Sequence, residues 1–226
     1  MKTYLVIGNS SGIGKAVTDL LVSQGQSVIG ISRTETTNAT QSYVADVLTD
    51  ALPLIEGPID GIVYCPGSIT LKPFRGLKPE DFLRDLNINV MGAVRILQQY
   101  LPNLQKAEHP SVVLFSSIAA TMGMPFHASI AMAKGAVEGL TRSLAAEWAP
   151  KIRVNCLALS LTDTPLAGRL LDNEAKRTAA AERHPLKTIG NSAEIAASVW
   201  LLLGSNTSFV TGQVWHIDGG MSSVRN

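Results

Sequence analysis

Residues 4–17 read Tyr4-Leu5-Val6-Ile7-Gly8-Asn9-Ser10-Ser11-Gly12-Ile13-Gly14-Lys15-Ala16-Val17. The four apolar residues before Gly8 have the length and character of a buried strand. Ala16, Val17, Leu20 and Leu21 then recur at helical spacing, and Gly25 stops the pattern. Between strand and helix lie three glycines in the order G-x3-G-x-G. Glycines at such a turn let backbone approach a phosphate, and the helix that follows offers free N–H groups and the positive end of its dipole. A phosphate loop of the Walker type is excluded: position 9 is Asn, and no Ser or Thr follows Lys15.

Working outward, strands are predicted at Ser27 to Ile31, Tyr43 to Ala45, Gly61 to Cys65, Ser111 to Ser116, Ile152 to Leu159 and Val214 to Ile217. These are short continuous apolar runs, as expected of strands covered on both faces. One helical stretch is predicted over 79–105, opened by Pro79 and striped by Phe82, Leu86, Val90, Val94 and Leu97. Further helices are predicted at Ala131 to Trp148 and Ala193 to Leu203. Strands alternating with helices give an α/β protein with a Rossmann-type, doubly wound parallel sheet, in a single domain over 1–226. Residues 33–42 (RTETTNATQS) are too polar and too few for the usual crossover helix, so a loop and a thin layer are expected at that edge. Residues 163–186 are expected to be a mobile substrate lid, with Leu166, Leu170 and Leu171 facing in and His184-Pro185 ending it as structure.

Composition narrows the function. The chain has 226 residues, 46% of them hydrophobic and 16% charged, which argues against disorder. With 19 basic and 18 acidic side chains it carries no broad field for nucleic acid or an anionic membrane. Residues 111–133 lack charge, but Ser116, Ser117, Gly123, Pro125 and His127 interrupt any span. Two cysteines make no disulfide framework, and the apolar run before Gly8 is short for a signal peptide. A cytoplasmic protein acting on small molecules is expected, with no metal site.

Seven features follow one another in order along the 226 residues. They are the glycine turn Gly8 to Gly14; Asp46-Val47; Asn89 in Asn89-Val90-Met91-Gly92; Ser117 closing Val112 to Ser117; Lys134; Ile152 to Asn155 with Thr164-Pro165; and Phe209 to Gln213 leading to Asp218-Gly219-Gly220. In this the chain resembles the short-chain dehydrogenase/reductase family from end to end. The resemblance implies a nicotinamide cofactor, held by the glycine turn, Asp46-Val47, Cys65, Gly67, Lys134 and Thr164. It implies catalytic roles for Asn89, Ser117 and Lys134, and a homodimer or homotetramer. Val137, Leu140, Leu144 and Trp148 suggest more apolar surface on their helix than one face needs. The residue ending the second strand faces the adenosine ribose in this fold; an acid there would repel a 2′-phosphate. Here Ser32 holds that place and Arg33 follows, so NADP is expected over NAD.

Three places depart from the family pattern. Its catalytic Tyr-x-x-x-Lys is here Ile130-Ala131-Met132-Ala133-Lys134, and isoleucine has no proton to give. Either His127, spaced His-x6-Lys from Lys134, supplies the proton, or water or Ser117 protonates after hydride adds to an activated C=C, or the chain binds NADP with little chemistry. Tyr64-Cys65-Pro66-Gly67 stands in place of Asn-Asn-Ala-Gly, with Cys65 read as a small packed residue. Leu159-Ser160 stands in place of Pro-Gly.

Overall fold

The computed structural model describes residues 1–224. Its centre is β1 (Thr3–Ile7), whose side chains alternate between two apolar layers. Tyr4 and Val6 join the layer of α1 (Gly12–Ser23) and α6 (Ser192–Leu203). Leu5 and Ile7 join the layer of α3 (Gly92–Lys106) and α4 (Ala128–Trp148). Burial on both faces is why this strand reads as a continuous apolar run.

Around β1 lie β2 (Ser27–Ser32), β3 (Gln41–Val44), β4 (Gly61–Tyr64), β5 (Ser111–Ser117), β6 (Arg153–Leu159) and β9 (Val214–Ile217). The order is β3-β2-β1-β4-β5-β6-β9 and every pairing is parallel. The chain runs outward from β1 in one direction, then restarts on its other side at β4. A ligand crevice is expected at such a switch, beyond the carboxyl ends of the strands. Ile7 pairs with Ile31 and Tyr64, so Gly8, Ser32 and Cys65 emerge side by side there. No helix separates β2 from β3, and half-exposed β3 is the thin edge the polar segment predicted.

The helical stretch expected over 79–105 is not one regular helix. It is α2 (Pro79–Leu86), a π turn over Asn87–Met91, and then α3. The π turn frees backbone groups, and the Tyr64 hydroxyl donates to the Ile88 carbonyl at 2.7 Å. A Cβ on Gly92 would overlap that hydroxyl oxygen, so tyrosine and glycine fit as a pair. α4 begins three residues earlier than the sequence suggests, which puts Ile130 in its first turn.

The segment expected to be a mobile polar loop is largely ordered. β7 (Thr162–Asp163) and β8 (Gly190–Asn191) pair in parallel at its two ends. Between them come a 3-10 turn, Pro165–Leu170, and α5 (Glu174–Glu182), which Asn173 caps by accepting from Lys176 N–H at 2.9 Å. Leu171 does not face the crevice; it packs with Ala167 and Ala180. Leu140, Leu144 and Trp148 pack against the core under α4 and stay partly exposed. No described helix is long and apolar enough to cross a membrane.

Candidate active site

At the carboxyl ends of β4, β5 and β6 lies a cavity of about 540 Å³, closed on one side by the α5 segment. Lys134 enters it from the second turn of α4, and its Nζ donates to the Phe115 carbonyl at 2.9 Å. Burial pulls the Lys134 ammonium down from 10.5 to about 8, against the opposing influence of Cys156, Asp85 and Cys65. At pH 7 it is still mostly charged. Ser117 ends β5; its Oγ accepts from Ala119 N–H at 3.2 Å, so it caps a turn while its own hydrogen stays free for the cavity.

Asn89 sits in the π turn. Its Nδ2 donates to the Asp85 carbonyl at 2.8 Å and to Ser68 Oγ at 2.9 Å. Its Oδ1 is buried without a hydrogen-bond partner among the described residues. Such an oxygen is an energetic liability unless something else donates to it. The direction it faces is clear from Gly67: a Cβ there would lie 3.3 Å from Asn89 Oδ1 and 3.8 Å from Lys134 Nζ. Three sequence-predicted residues thus meet at one point.

Asp85 was not anticipated. It is fully buried and accepts from Ser68 Oγ at 2.6 Å, Thr70 Oγ1 at 2.9 Å and Ser129 Oγ at 2.6 Å. Three hydroxyls compensate the loss of water around the carboxylate. They also tie α2, α4 and the chain after β4 together beneath Asn89. The available signal was an acid four residues before Asn89 on an otherwise apolar stripe.

Ile130 is 4% exposed and forms cavity wall. His127 precedes α4, and its Nδ1 lies 2.7 Å from the Pro125 carbonyl. A carbonyl only accepts, so Nδ1 carries hydrogen and Nε2 is the atom left for the cavity. Phe126 holds φ at +68°, unfavourable for an aromatic residue, and its carbonyl accepts from Lys72 N–H at 3.1 Å. Burial pushes the Cys65 thiol up to about 12, so it is a packed thiol and not a nucleophile. Contrary to the sequence expectation, His184 does join this cavity. So do Leu166 and Leu170, together with Arg169, Lys176 and Arg183, while no carboxylate of the described residues lines it.

Ile13, Cys65, Gly67 and Thr164 border the cavity, but Gly8, Asn9, Ser10, Ser11, Ser32, Arg33 and Asp46 lie outside it, around the glycine turn and the ends of β2 and β3. Gly8 has φ +80°, and a Cβ on Gly14 would overlap the Gly8 carbonyl. Ser11 precedes α1 without a side-chain cap, leaving first-turn N–H groups open. Asn9 is buried under the β2–β3 loop, its Nδ2 donating to Thr36 Oγ1 at 2.9 Å and Asn38 Oδ1 at 3.2 Å, its Oδ1 without a partner among the described residues. Ser32 Oγ donates to the Thr34 carbonyl at 2.6 Å. Arg33 is exposed, and its guanidinium makes no hydrogen bond among the described residues. Asp46 Oδ1 accepts from Leu48 N–H at 2.9 Å in its own turn, and the Val47 carbonyl accepts from Arg95 at 2.7 Å.

A doubly wound parallel sheet with a glycine turn after β1 and a polar cluster at its carboxyl edge defines a Rossmann-type fold. A family model described as enoyl-(acyl carrier protein) reductase matches residues 44–222. The chain belongs to the short-chain dehydrogenase/reductase family of oxidoreductases. It is 32% identical to 3-oxoacyl-(acyl-carrier-protein) reductase FabG of Thermotoga maritima, over 97% of each chain. It is also 32% identical to a tropinone reductase homologue of Arabidopsis thaliana, over 96% of this chain and 92% of that one. A short-chain dehydrogenase family protein of Francisella tularensis superposes with a TM-score of 0.89 at 26% identity, covering 99% of this chain and 100% of its own.

Proposed function

We propose that the chain is an NADP-dependent oxidoreductase moving hydride between the nicotinamide and a carbonyl or activated C=C of a small substrate. The observation that carries this is the meeting of Asn89 Oδ1 and Lys134 Nζ about Gly67, with Gly67, Lys134 and Ser117 lining one cavity. Two features fit such a cofactor. One is the glycine turn with its uncapped helix start, suited to a diphosphate. The other is the pair of buried oxygens, Asn9 Oδ1 and Asn89 Oδ1, that have no hydrogen-bond partner among the described residues.

When bound, the cofactor supplies or accepts the hydride. Gly8 to Gly14 hold its phosphates, and Asp46, Val47, Cys65, Gly67 and Thr164 border it. Arg33 binds the 2′-phosphate, since Ser32 offers no carboxylate to repel it. Lys134 presents its ammonium to the ribose, and Ser117 donates to the substrate oxygen. His127 Nε2 is one candidate acid beside Ile130. The substrate class follows from the walls: apolar residues with Arg169 and Arg183, and no carboxylate among the described residues, suit an apolar body bearing a negative charge, while Lys176 is already paired with Asp172 at 2.8 Å. FabG of Thermotoga maritima and the Arabidopsis tropinone reductase homologue carry reductase names, which agrees with the oxidoreductase reading.

A second reading, a cofactor-binding protein with little chemistry, is favoured by one feature, the isoleucine at position 130. Two measurements separate them. NADPH fluorescence should change on titration with the protein. NADPH oxidation should then be seen with some member of a panel of ketones, aldehydes and enoyl thioesters. Binding with no turnover across the panel supports the second reading, and no binding refutes both.

A further inference from the structure

Ser160 stands immediately beyond β6, where the family pattern has glycine. Ser117 pairs with Leu159, so Ser160 lies one residue past the neighbour of Ser117, on a strand about 5 Å away. Its Oγ is 2.7 Å from Nε2 of His184, a side chain only 3% exposed. The other ring nitrogen, Nδ1, is 2.8 Å from the Ala180 carbonyl. Because a carbonyl can only accept, Nδ1 carries the hydrogen and the neutral ring offers Nε2 as an acceptor to Ser160. When the ring is protonated the bond reverses. Nε2–H donates to Ser160 Oγ, and the serine hydrogen is released toward another acceptor. Serine, histidine and a fixed third group form the arrangement by which a hydroxyl is made to give or take a proton. Ser160 and His184 both line the cavity that holds Ser117, Ile130 and Lys134. The Met221 sulfur, 3.4 Å from Ser160 Oγ, is a weaker acceptor and does not compete with the imidazole.

We propose that Ser160, backed by His184, is the proton-transferring group of this site and stands in for the phenol that Ile130 lacks. This rests on the oxidoreductase reading above. In the direction of reduction, reduced nicotinamide dinucleotide is the two-electron donor. A C–H bond forms at the carbonyl carbon while the C=O π pair moves onto oxygen. Ser160 Oγ–H breaks to give that oxygen its proton, and the Nε2–H of protonated His184 breaks to restore the serine hydroxyl. The ring is left neutral and takes its next proton from solvent. Ser160 is then a catalytic residue and His184 a positioning residue that acts through it. His127 is the competing donor, and its partly exposed ring makes no hydrogen bond to either member of this pair.

The test pairs a measurement on the free protein with kinetics. Nitrogen-15 NMR of the histidine rings, without cofactor or substrate, is expected to show His184 with hydrogen on Nδ1, and Ser160→Ala should move its Nε2 resonance. For turnover, NADPH oxidation is followed with acetoacetyl-coenzyme A, crotonyl-coenzyme A and phenanthrenequinone as probes. Ser160→Ala should lower kcat about a hundredfold, the range lost with a general acid, with NADPH binding unchanged. His184→Gln keeps a hydrogen-bonding nitrogen but holds no acidic proton, so it should lower kcat likewise; a merely structural tether would be preserved by it. Adding Ile130→Tyr to Ser160→Ala should return turnover, because a phenol bypasses the pair. The proposal is overturned if Ser160→Ala keeps the wild-type kcat, if only His127→Ala abolishes turnover, or if the neutral His184 ring carries its single hydrogen on Nε2 instead of Nδ1. If wild type binds NADPH but oxidises it with no probe, the oxidoreductase reading falls first and this proposal with it.

Discussion

Gly92→Ala tests the π turn that carries Asn89, and the outcome depends on Tyr64. Alanine is normally a gain inside a helix, by about 1 kcal/mol over glycine. Here the new methyl would overlap the Tyr64 hydroxyl oxygen, with Tyr64 Cζ at 3.1 Å and Leu48 Cδ2 at 3.3 Å behind it. Overpacking of this kind costs about 1–3 kcal/mol. The clash therefore cancels or outweighs the propensity gain, and Gly92→Ala is expected to destabilise by about 0–2 kcal/mol. Tyr64→Phe alone removes the 2.7 Å bond to the Ile88 carbonyl, a loss of about 0.5–1.5 kcal/mol. In the Phe background the overlapping atom is gone, so Gly92→Ala should recover its helix gain of about 1 kcal/mol. The coupling between the two sites is then about 1–3 kcal/mol, well above the ~0.5 kcal/mol scatter of independent sites. Urea unfolding of the four proteins of the cycle measures it. NADPH affinity should fall with Gly92→Ala and recover in the double variant, because the π turn aims Asn89 Oδ1. Additive stabilities would refute the packing argument, and additive stabilities with unchanged affinity would also detach the turn from the site.

Other consequences follow from the same geometry. Arg33→Asp should reverse cofactor preference: losing a charge-assisted bond to phosphate costs about 1.5–3 kcal/mol, or about 10–100-fold in the NADPH dissociation constant. Fluorescence titration with both nucleotides checks it, and an unchanged preference places the 2′-phosphate elsewhere. The Lys134 ammonium, held near 8, should make NADPH affinity decline between pH 7 and 9.5. Because that value lies below the unfolded one of 10.5, the unfolded chain holds the extra proton between them. Stability contributed at Lys134 therefore rises with pH across that window, and Lys134→Met should remove the rise along with the binding. Arg183→Ala should weaken decanoate binding in calorimetry yet leave decanol alone; equal loss of both would refute the anionic substrate class. Cys65, with its thiol pushed up to about 12, should resist iodoacetamide at pH 8 in the folded protein, and fast alkylation would contradict that raised pKa.

Much of the fold was legible because it is local. The strand, glycine turn and helix of residues 4–17 follow from adjacent residues, and so does the loop at 33–42, where too few helix formers stand between two apolar runs. Ser117, Lys134, Asn89 and Gly67 were placed by motif, and the chain brings them together. What escaped is what needs distant partners. The π turn has no periodic signature; it depends on Tyr64, whose hydroxyl arrives from another strand. Asp85 looks like an ordinary helix acid until Ser68, Thr70 and Ser129 converge on it. His184 lies 24 residues from Ser160, and only the folded lid brings the rings and hydroxyls into contact. The helix α5 is a different kind of miss. Its Glu-Ala-Lys-Arg run is rich in helix formers behind an Asn cap, so propensity alone could have found it.

The absent phenol can be weighed against what the rest of the site costs. The crevice keeps a lysine whose ammonium is disfavoured by burial, a buried carboxylate needing three hydroxyls, an asparagine oxygen without a donor, and an aromatic residue at positive φ. Each is destabilising in a free protein, and an apolar replacement at Lys134 or Asp85 would relieve it. A chain that used this fold only as a scaffold has no physical reason to hold all four at one place. They make sense together if a ligand donates to Asn89, meets the Lys134 charge and crosses the cavity past Ser117. Ile130 therefore removes one proton donor from an otherwise preserved binding apparatus. The Ser160–His184 pair, built at the adjoining strand end from a serine that departs from the same pattern, gives that proton a second route.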